Sequence, residues 1–132
     1  MGRCQGLDRL TEFETAYWVD GPGQPRDRVP PEVRAMVMDW IASNYRSDKE
    51  AAIPRPLEPP AESRLDDLQT PLLVIVGELD DAETNDAMRH PATRVPGARL
   101  ESFPTAHMVN LEEPELFNAV LGEFLDFVRG SS

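Results

Sequence analysis

A continuous apolar run at residues 72–76, with the sequence LLVIV, constrains the fold of this 132-residue chain more than any other stretch. Pro71 precedes the run and Gly77 follows it, which predicts a short strand with defined ends. Strands that are apolar at every position are typical of parallel sheets with helices on both faces, because both sides of the strand are then removed from water. The run therefore predicts an α/β fold in which this strand is buried on both faces.

A second strand and two helices complete the pattern in this part of the chain. Residues 98–103 alternate in character and are predicted to form a strand, and residues 82–93 are predicted to form a short helix between the two strands. From Pro114 to Val128, apolar residues recur at helical spacing. This order predicts a right-handed parallel βαβ unit followed by a covering helix, in which the sheet is short.

The first half of the chain carries a helical pattern instead. Residues 7–18 and 31–46 each have apolar residues near helical spacing, and the segment between them is rich in glycine and proline. A proline-rich stretch then predicts an extended connector. The chain is accordingly predicted to divide into a helical segment with its connector, residues 1–60, and an α/β part, residues 61–132.

The formal net charge of −11 at pH 7 argues against whole classes of partner. An acidic surface repels phosphates and anionic lipid, so neither nucleic acid nor a membrane is expected as a partner. No apolar run approaches the roughly 20 residues of a membrane span, and the first residues lack the apolar region of a secretory signal. The lone cysteine, Cys4, cannot form an internal disulfide, which favours a cytoplasmic location.

Groups suited to acid–base chemistry follow both predicted strands. Asp80 and Asp81 come shortly after the first strand, and His107 follows the second. Because the carboxyl ends of neighbouring parallel strands share one edge of a sheet, these side chains are expected to meet there, at a distance of about 3 Å. A carboxylate that accepts a hydrogen bond from an imidazole fixes its tautomer and stabilises the imidazolium formed during proton transfer. The sequence thus supplies an acid and a base for one site.

The stretches TPLLVIVGELD and VPGARLESFPTAHMVNLEEPELFNAVLGEFL resemble the C-terminal part of an α/β-hydrolase. The resemblance covers about residues 64–128 and combines a strand, Gly-x-x-Asp, Pro-Gly-Ala, a histidine and a Glu-Pro-Glu helix start in the family's order. It implies that Asp80 is the acid of a catalytic triad and His107 its base. The Gly-x-x-Asp position favours Asp80 over Asp81. Residues 7–60 resemble the helical cap of such enzymes.

The nucleophile of that family has no counterpart in these 132 residues. The family carries its serine in a Gly-x-Ser-x-Gly turn, and none of the six serines here is flanked by glycines in that way. The oxyanion loop is missing too, and Ala106 stands where glycine usually precedes the histidine. The resemblance implies a truncated serine hydrolase for esters, lactones or carbon–carbon bonds. This chain alone is therefore expected to be inactive and to act on a small-molecule substrate only when a nucleophile-bearing half completes it.

Three large side chains are the candidates for substrate binding, namely Trp18, Trp40 and Met108. Tyr17 and Met36 are further candidates, although packing between the cap helices is the more common use of such residues.

Other interpretations stay open from the sequence. No cofactor is predicted, and no metal site is predicted because Asp80, Asp81 and His107 lack a second histidine at ligand spacing. Cys4 could serve His107 as a nucleophile, but it lies near a terminus and outside any strand-to-helix turn. Three acidic residues around the start of the last helix, Glu112, Glu113 and Glu115, are expected to favour the N-terminus of that helix through its dipole.

The main alternative function is a non-catalytic interaction module. The strand at 72–76 has one evident partner, the strand at 98–103, so its other edge is predicted to be unpaired. Exposed edges of this kind pair with other chains, which makes a homodimer possible.

Overall fold

The computed structural model describes residues 2–47 and 53–130, with side chains from Gly6 onward. Helices account for most of the described elements, and one small parallel sheet lies among them. The elements in chain order are α1 (Gly2–Thr15), a π-helical continuation (the π segment, Ala16–Asp20), α2 (Pro31–Arg46), a 3₁₀ turn (Ala61–Asp67), β1 (Leu73–Gly77), α3 (Ala82–Arg94), β2 (Arg99–Phe103), α4 (Val109–Glu112) and α5 (Pro114–Gly130).

The strand–helix–strand unit predicted from the sequence is confirmed. β1 and β2 pair in parallel, with Leu73 opposite Arg99 and Gly77 opposite Phe103. Each strand begins one residue later than predicted, and α3 joins the two strands and packs against β1. The unit is therefore an α/β arrangement with a two-stranded sheet, as the apolar run indicated.

The prediction that the first strand is buried on both faces is wrong for the described residues. Val74 and Val76 are 5% and 3% exposed, whereas Leu73 and Ile75 on the opposite face are only half-buried. An all-apolar strand needs cover on two sides, and the described elements supply it on one. β2 is also the only described strand that pairs with β1, so the other edge of β1 is unpaired within this part of the chain.

The two predicted N-terminal helices are present. α2 has the predicted bounds, while α1 starts earlier than predicted and continues through the π segment to Asp20. Val19, Val29 and Val37 form the core between them and are at most 3% exposed. Met108 packs against this core from beyond β2, together with Leu111. The division into 1–60 and 61–132 stays a prediction, and this core crosses it.

A buried ion pair accompanies the N-terminal core. The guanidinium of Arg34 donates from Nε to both carboxylate oxygens of Asp20, at 2.9 and 3.1 Å, and both residues are less than 10% exposed. Arg34 also donates to Glu12 at 2.7 Å, and this hydrogen bond lowers the pKa of the Glu12 carboxyl. The charges of the buried groups are therefore paired, as burial requires.

The connector between the two parts of the chain has no regular secondary structure in its described residues. Residues 53–60 form neither helix nor strand, in keeping with the predicted connector, and residues 48–52 lie outside the described part.

α5 begins at Pro114 as predicted, but none of its residues is buried. Arg99 of β2 stacks on its Phe127 ring, 4.2 Å from the centroid. In the described ranges, no helix has both the length and the apolar character of a membrane span.

Candidate acid–base site

The two loops that follow β1 and β2 are held side by side by backbone hydrogen bonds. The amide of Glu78 donates to the carbonyl of Phe103 at 2.8 Å, and that of Leu79 donates to Thr105 at 2.9 Å. Gly77 makes this approach possible, since a Cβ at residue 77 would lie 2.0 Å from the carbonyl oxygen of Ala106. The end of the sheet therefore brings the residues after both strands to one edge.

Asp80 and His107 meet at this edge. Nδ1 of His107 lies 2.7 Å from Oδ2 of Asp80, which confirms the contact predicted from the sequence. The Asp80 side chain is 5% exposed and the imidazole 43%. An ionised carboxylate can only accept, so Nδ1 is the donor and Nε2 is the acceptor in the neutral ring. No described residue hydrogen-bonds Nε2, which leaves it available for proton transfer.

Backbone contacts fix the carboxylate from its other side. Oδ1 of Asp80 accepts the amide of Asp81 at 2.8 Å, and the amide of Asp80 donates to the carbonyl of Gly77 at 3.1 Å. Both oxygens of the buried carboxylate are thus partnered, one by the backbone and one by the imidazole. The acid is held in the orientation that faces His107.

Asp81 has a different set of partners. Its carboxylate caps α3 by accepting the amide of Thr84 at 3.1 Å, in agreement with the helix-capping alternative. The hydroxyl of Tyr17 lies close enough to this carboxylate to affect the pKa of both groups. Their interaction lowers the pKa of Asp81 below its usual 3.8 and raises that of Tyr17 above its usual 10.0. Of the two aspartates, Asp80 is the one in contact with His107.

Trp18 is the predicted substrate-binding residue that lies beside the pair. Its ring centroid is 4.8 Å from that of His107, with the planes tilted by 57°, and Tyr17 packs edge-on against it. Trp40 is 56% exposed on α2, and no described contact brings it to the pair. Met108 packs against the Val19 core. A substrate-binding role for all three stays a prediction.

Glu112 lies beside the loop that carries His107, a position that its sequence neighbours do not predict. Of the three acidic residues predicted to favour the N-terminus of the last helix, Glu115 lies in the first turn of α5, whereas the Glu112 side chain is 6% exposed and pairs with Arg28. Its Oε1 also accepts the amide of Ala106 at 2.9 Å. Arg28 comes from the loop between α1 and α2, so sequence position alone could not connect these groups.

The remaining candidates add no further group to the site. Among the described side chains, no group of three or more His, Cys, Asp or Glu residues is placed to hold a metal ion. Cys4 lies within α1, and its side chain is outside the described part of the chain.

Comparison with known proteins identifies relatives that are about twice as long. No protein-family model matches the sequence. A Bacillus subtilis protein that is assigned the name 2-succinyl-6-hydroxy-2,4-cyclohexadiene-1-carboxylate synthase is 36% identical in a 124-residue alignment, which covers 89% of this chain and 44% of that protein. The chain thus spans less than half the length of the curated relative that it matches.

Solved structures show the same proportion. The enol-lactonase from Burkholderia xenovorans is 25% identical, with a TM-score of 0.64 over 94% of this chain and 46% of its own. A carboxylesterase from Bacillus subtilis is 21% identical, with a TM-score of 0.58 over 89% of this chain and 41% of its own. Nearly the whole of this chain therefore superposes on part of a longer fold.

Proposed function

Since the chain has the α/β-hydrolase fold and corresponds to the C-terminal part of that fold, we propose that Asp80 and His107 are the acid and the base of a hydrolase catalytic triad. The observation that carries the proposal is the 2.7 Å contact between Nδ1 of His107 and the buried carboxylate of Asp80. The reaction is hydrolysis of an ester, a lactone or a carbon–carbon bond, and it uses no cofactor.

In this mechanism, a serine hydroxyl from outside these 132 residues attacks the substrate carbonyl. Nε2 of His107 takes the hydroxyl proton as the bond forms and then gives it to the leaving group. Water repeats the cycle on the acyl-enzyme and releases the acid. Asp80 stays ionised throughout, holds Nδ1–H and stabilises the imidazolium. Trp18 borders the imidazole, so the substrate would lie against its ring.

The name of one relative supports the substrate class. A solved relative that is 25% identical is an enol-lactonase, and its name agrees with the lactone class of the proposal. The physiological partner is accordingly a small molecule held between this chain and the part that supplies the nucleophile. The single cysteine supports a cytoplasmic location.

A non-catalytic interaction module is the second candidate, and the unpaired edge of β1 favours it. Leu73 and Ile75 are half-buried beside that edge, and such an edge can pair with a second copy of the chain. Sedimentation of the isolated chain tests this candidate, because a stable monomer at high concentration would count against pairing through the edge.

The catalytic proposal is tested with a nitrophenyl ester, using the chain alone and the chain combined with the N-terminal half of the Bacillus subtilis relative. The chain alone is expected to give only background hydrolysis. Loss of the serine costs on the order of 10⁶ in rate in a serine protease, and each missing oxyanion donor costs roughly a further 10²–10³. The combined halves are expected to turn over the ester, and Asp80→Asn should reduce that rate by about 10⁴.

The chain offers a matched control, because it has two histidines. His107→Ala should abolish turnover by the combined halves, and His90→Ala should leave it unchanged. Turnover that survives His107→Ala would disprove the proposed base. Turnover by the chain alone that depends on both His107 and Cys4 would instead identify a cysteine enzyme.

A further inference from the structure

The contact between Trp18 and His107 joins two segments that are far apart in the sequence, so something must hold them in register. Trp18 lies in the π segment, and His107 lies in the loop after β2. Trp18 and His107 can act on the same substrate only if their relative position is fixed, because a misplacement of about 1 Å can lower the rate by roughly 10². The groups that connect the two segments are therefore of interest.

Arg28 binds the end of the π segment. Its Nη2 donates to the carbonyl of Val19 and its Nε to that of Asp20, both at 2.8 Å. These carbonyls belong to the last turn, where the helix provides no amide partners of its own. A guanidinium there also faces the negative end of the helix dipole. Arg28 thus fixes the two residues that follow Trp18.

The other side of the guanidinium binds Glu112. Nη2 of Arg28 is 3.1 Å from Oε1, and Nη1 makes a second, shorter contact with Oε2. Oε1 also accepts the amide of Ala106, at 2.9 Å. The side chains are 17% and 6% exposed, and Ala106 is fully buried. One carboxylate therefore links the guanidinium to the residue directly before His107.

A buried ion pair is weak evidence for stability, because the cost of removing both charges from water offsets their attraction. This pair does determine the relative orientation of the two segments that it connects. The bidentate geometry fixes the guanidinium relative to the carboxylate, and each partner donates to or accepts from backbone on only one of the two segments. The connection runs from the carbonyls after Trp18 to the amide before His107.

We propose that Arg28 and Glu112 are positioning residues that hold His107 against Asp80 and Trp18 against His107. Neither residue touches the reacting atoms. The catalytic meaning of the proposal rests on the proposed role of His107, but the geometry that it claims can be measured without activity.

The test is nuclear magnetic resonance of the full chain, with two signals. One is the downfield Nδ1–H resonance of His107, which reports its hydrogen bond to Asp80. The other is the set of cross-peaks between the rings of Trp18 and His107. Asp80→Asn provides the reference spectrum for a weakened Nδ1–H bond, and the unmodified chain provides the reference for both intact contacts.

Glu112→Leu removes the acceptor for Ala106 and is expected to abolish the Nδ1–H signal as well as the ring cross-peaks. Arg28→Met leaves that acceptor in place, so it should retain the Nδ1–H signal and lose the ring cross-peaks. Glu113→Leu and Arg26→Met are the matched controls on the neighbouring residues and should keep both signals. If Glu112→Leu does not fold, Glu112→Gln takes its place. Its amide oxygen can accept from Arg28 or from the amide of Ala106, but its NH₂ group cannot accept, so the Nδ1–H signal or the ring cross-peaks should weaken.

Retention of both signals in Glu112→Leu, or in Glu112→Gln where that variant is used, would overturn the proposal. In the combined-halves assay, Arg28→Met should lower kcat by roughly 10² with KM little changed. The two proposals can fail separately. Activity that is independent of His107 with intact NMR effects would refute the triad alone, whereas His107-dependent activity with unchanged NMR signals would refute the positioning pair alone.

Discussion

The N-terminal helices of this chain and its last helix, α5, bury their apolar side chains to different degrees. Val19 and Val37 of the first region are almost completely buried, and both carboxylate oxygens of Asp20 accept hydrogen bonds from the guanidinium of Arg34. In the second region, α5 is the helix with the most apolar sequence, and yet none of its residues is buried. The apolar content of a helix alone therefore does not determine whether it is buried.

In the second region, the described residues leave two apolar surfaces uncovered, namely the unpaired edge of β1 and the apolar face of α5. Asp80 and His107 lie elsewhere, where Tyr17 and Trp18 of the first region meet Asp81 and His107 of the second. The contact between Asp80 and His107 is thus formed although one edge of β1 has no partner strand in the described part of the chain.

The largest expected effect in this comparison comes from breaking the buried ion pair of the first region. Asp20→Ala leaves Arg34 buried with only its bond to Glu12, and removal of one partner from a buried pair typically costs about 3–5 kcal/mol. Urea unfolding measures the loss. Asp27→Ala, an exposed carboxylate in the adjacent loop, is the control and should change stability by less than about 0.5 kcal/mol. Equal losses of stability in the two variants would mean that the Arg34–Asp20 pair does not stabilise this region.

A smaller effect should separate the two regions directly. Val37→Ala removes two buried methyl groups and should lower the free energy of unfolding by about 2 kcal/mol. Leu125→Ala in α5 removes more carbon, but this side chain is 44% exposed, so we expect a loss below about 1 kcal/mol. If Leu125→Ala costs as much as Val37→Ala, and the cost grows with protein concentration, a second copy covers α5 in solution.

The sequence predicted the features that depend on local pattern. The apolar run at β1 and the helical repeats in α2 and α5 predicted the element types and near-correct bounds. Hydrophobic periodicity and the prolines and glycines that bound an element are local properties of the sequence. The meeting of Asp80 and His107 was also predictable, since it follows from the shared edge of parallel strands. These predictions needed no knowledge of distant contacts.

The rest depended on partners far along the chain. The sequence neighbours of Glu112 predict a place at a helix terminus, whereas its partner Arg28 is 84 positions away. The burial of β1 was overestimated because an apolar strand indicates how much cover it needs, and not which residues supply that cover. Trp40 and Trp18 both occur in helical stripes, and only the position of the π segment beside the histidine loop distinguishes them.

The smallest expected effect concerns the interaction between the Tyr17 hydroxyl and the Asp81 carboxylate, which brings the two regions together next to Asp80 and His107. This interaction raises the pKa of Tyr17 above 10.0 and lowers that of Asp81 below 3.8. The raised pKa of Tyr17 contributes stability that is complete below about pH 10 and is lost as the pH rises through the folded value. The lowered pKa of Asp81 contributes stability that is present above about pH 4 and is lost as the pH falls through its folded value.

Ultraviolet absorbance of the phenolate measures this contact in a Tyr45→Phe background, because Tyr45 has a raised pKa of its own through Glu14. Tyr17 should then titrate in one step above its usual 10.0, and Asp81→Asn should move that step back toward it. Glu83→Gln is the matched control, since Glu83 acts on Tyr17 only through charge and as the weakest of the causes, so its step should barely move. An identical titration in Asp81→Asn would mean that Tyr17 does not join the regions, and Trp18 would then depend on Arg28 and Glu112 alone for its place beside His107.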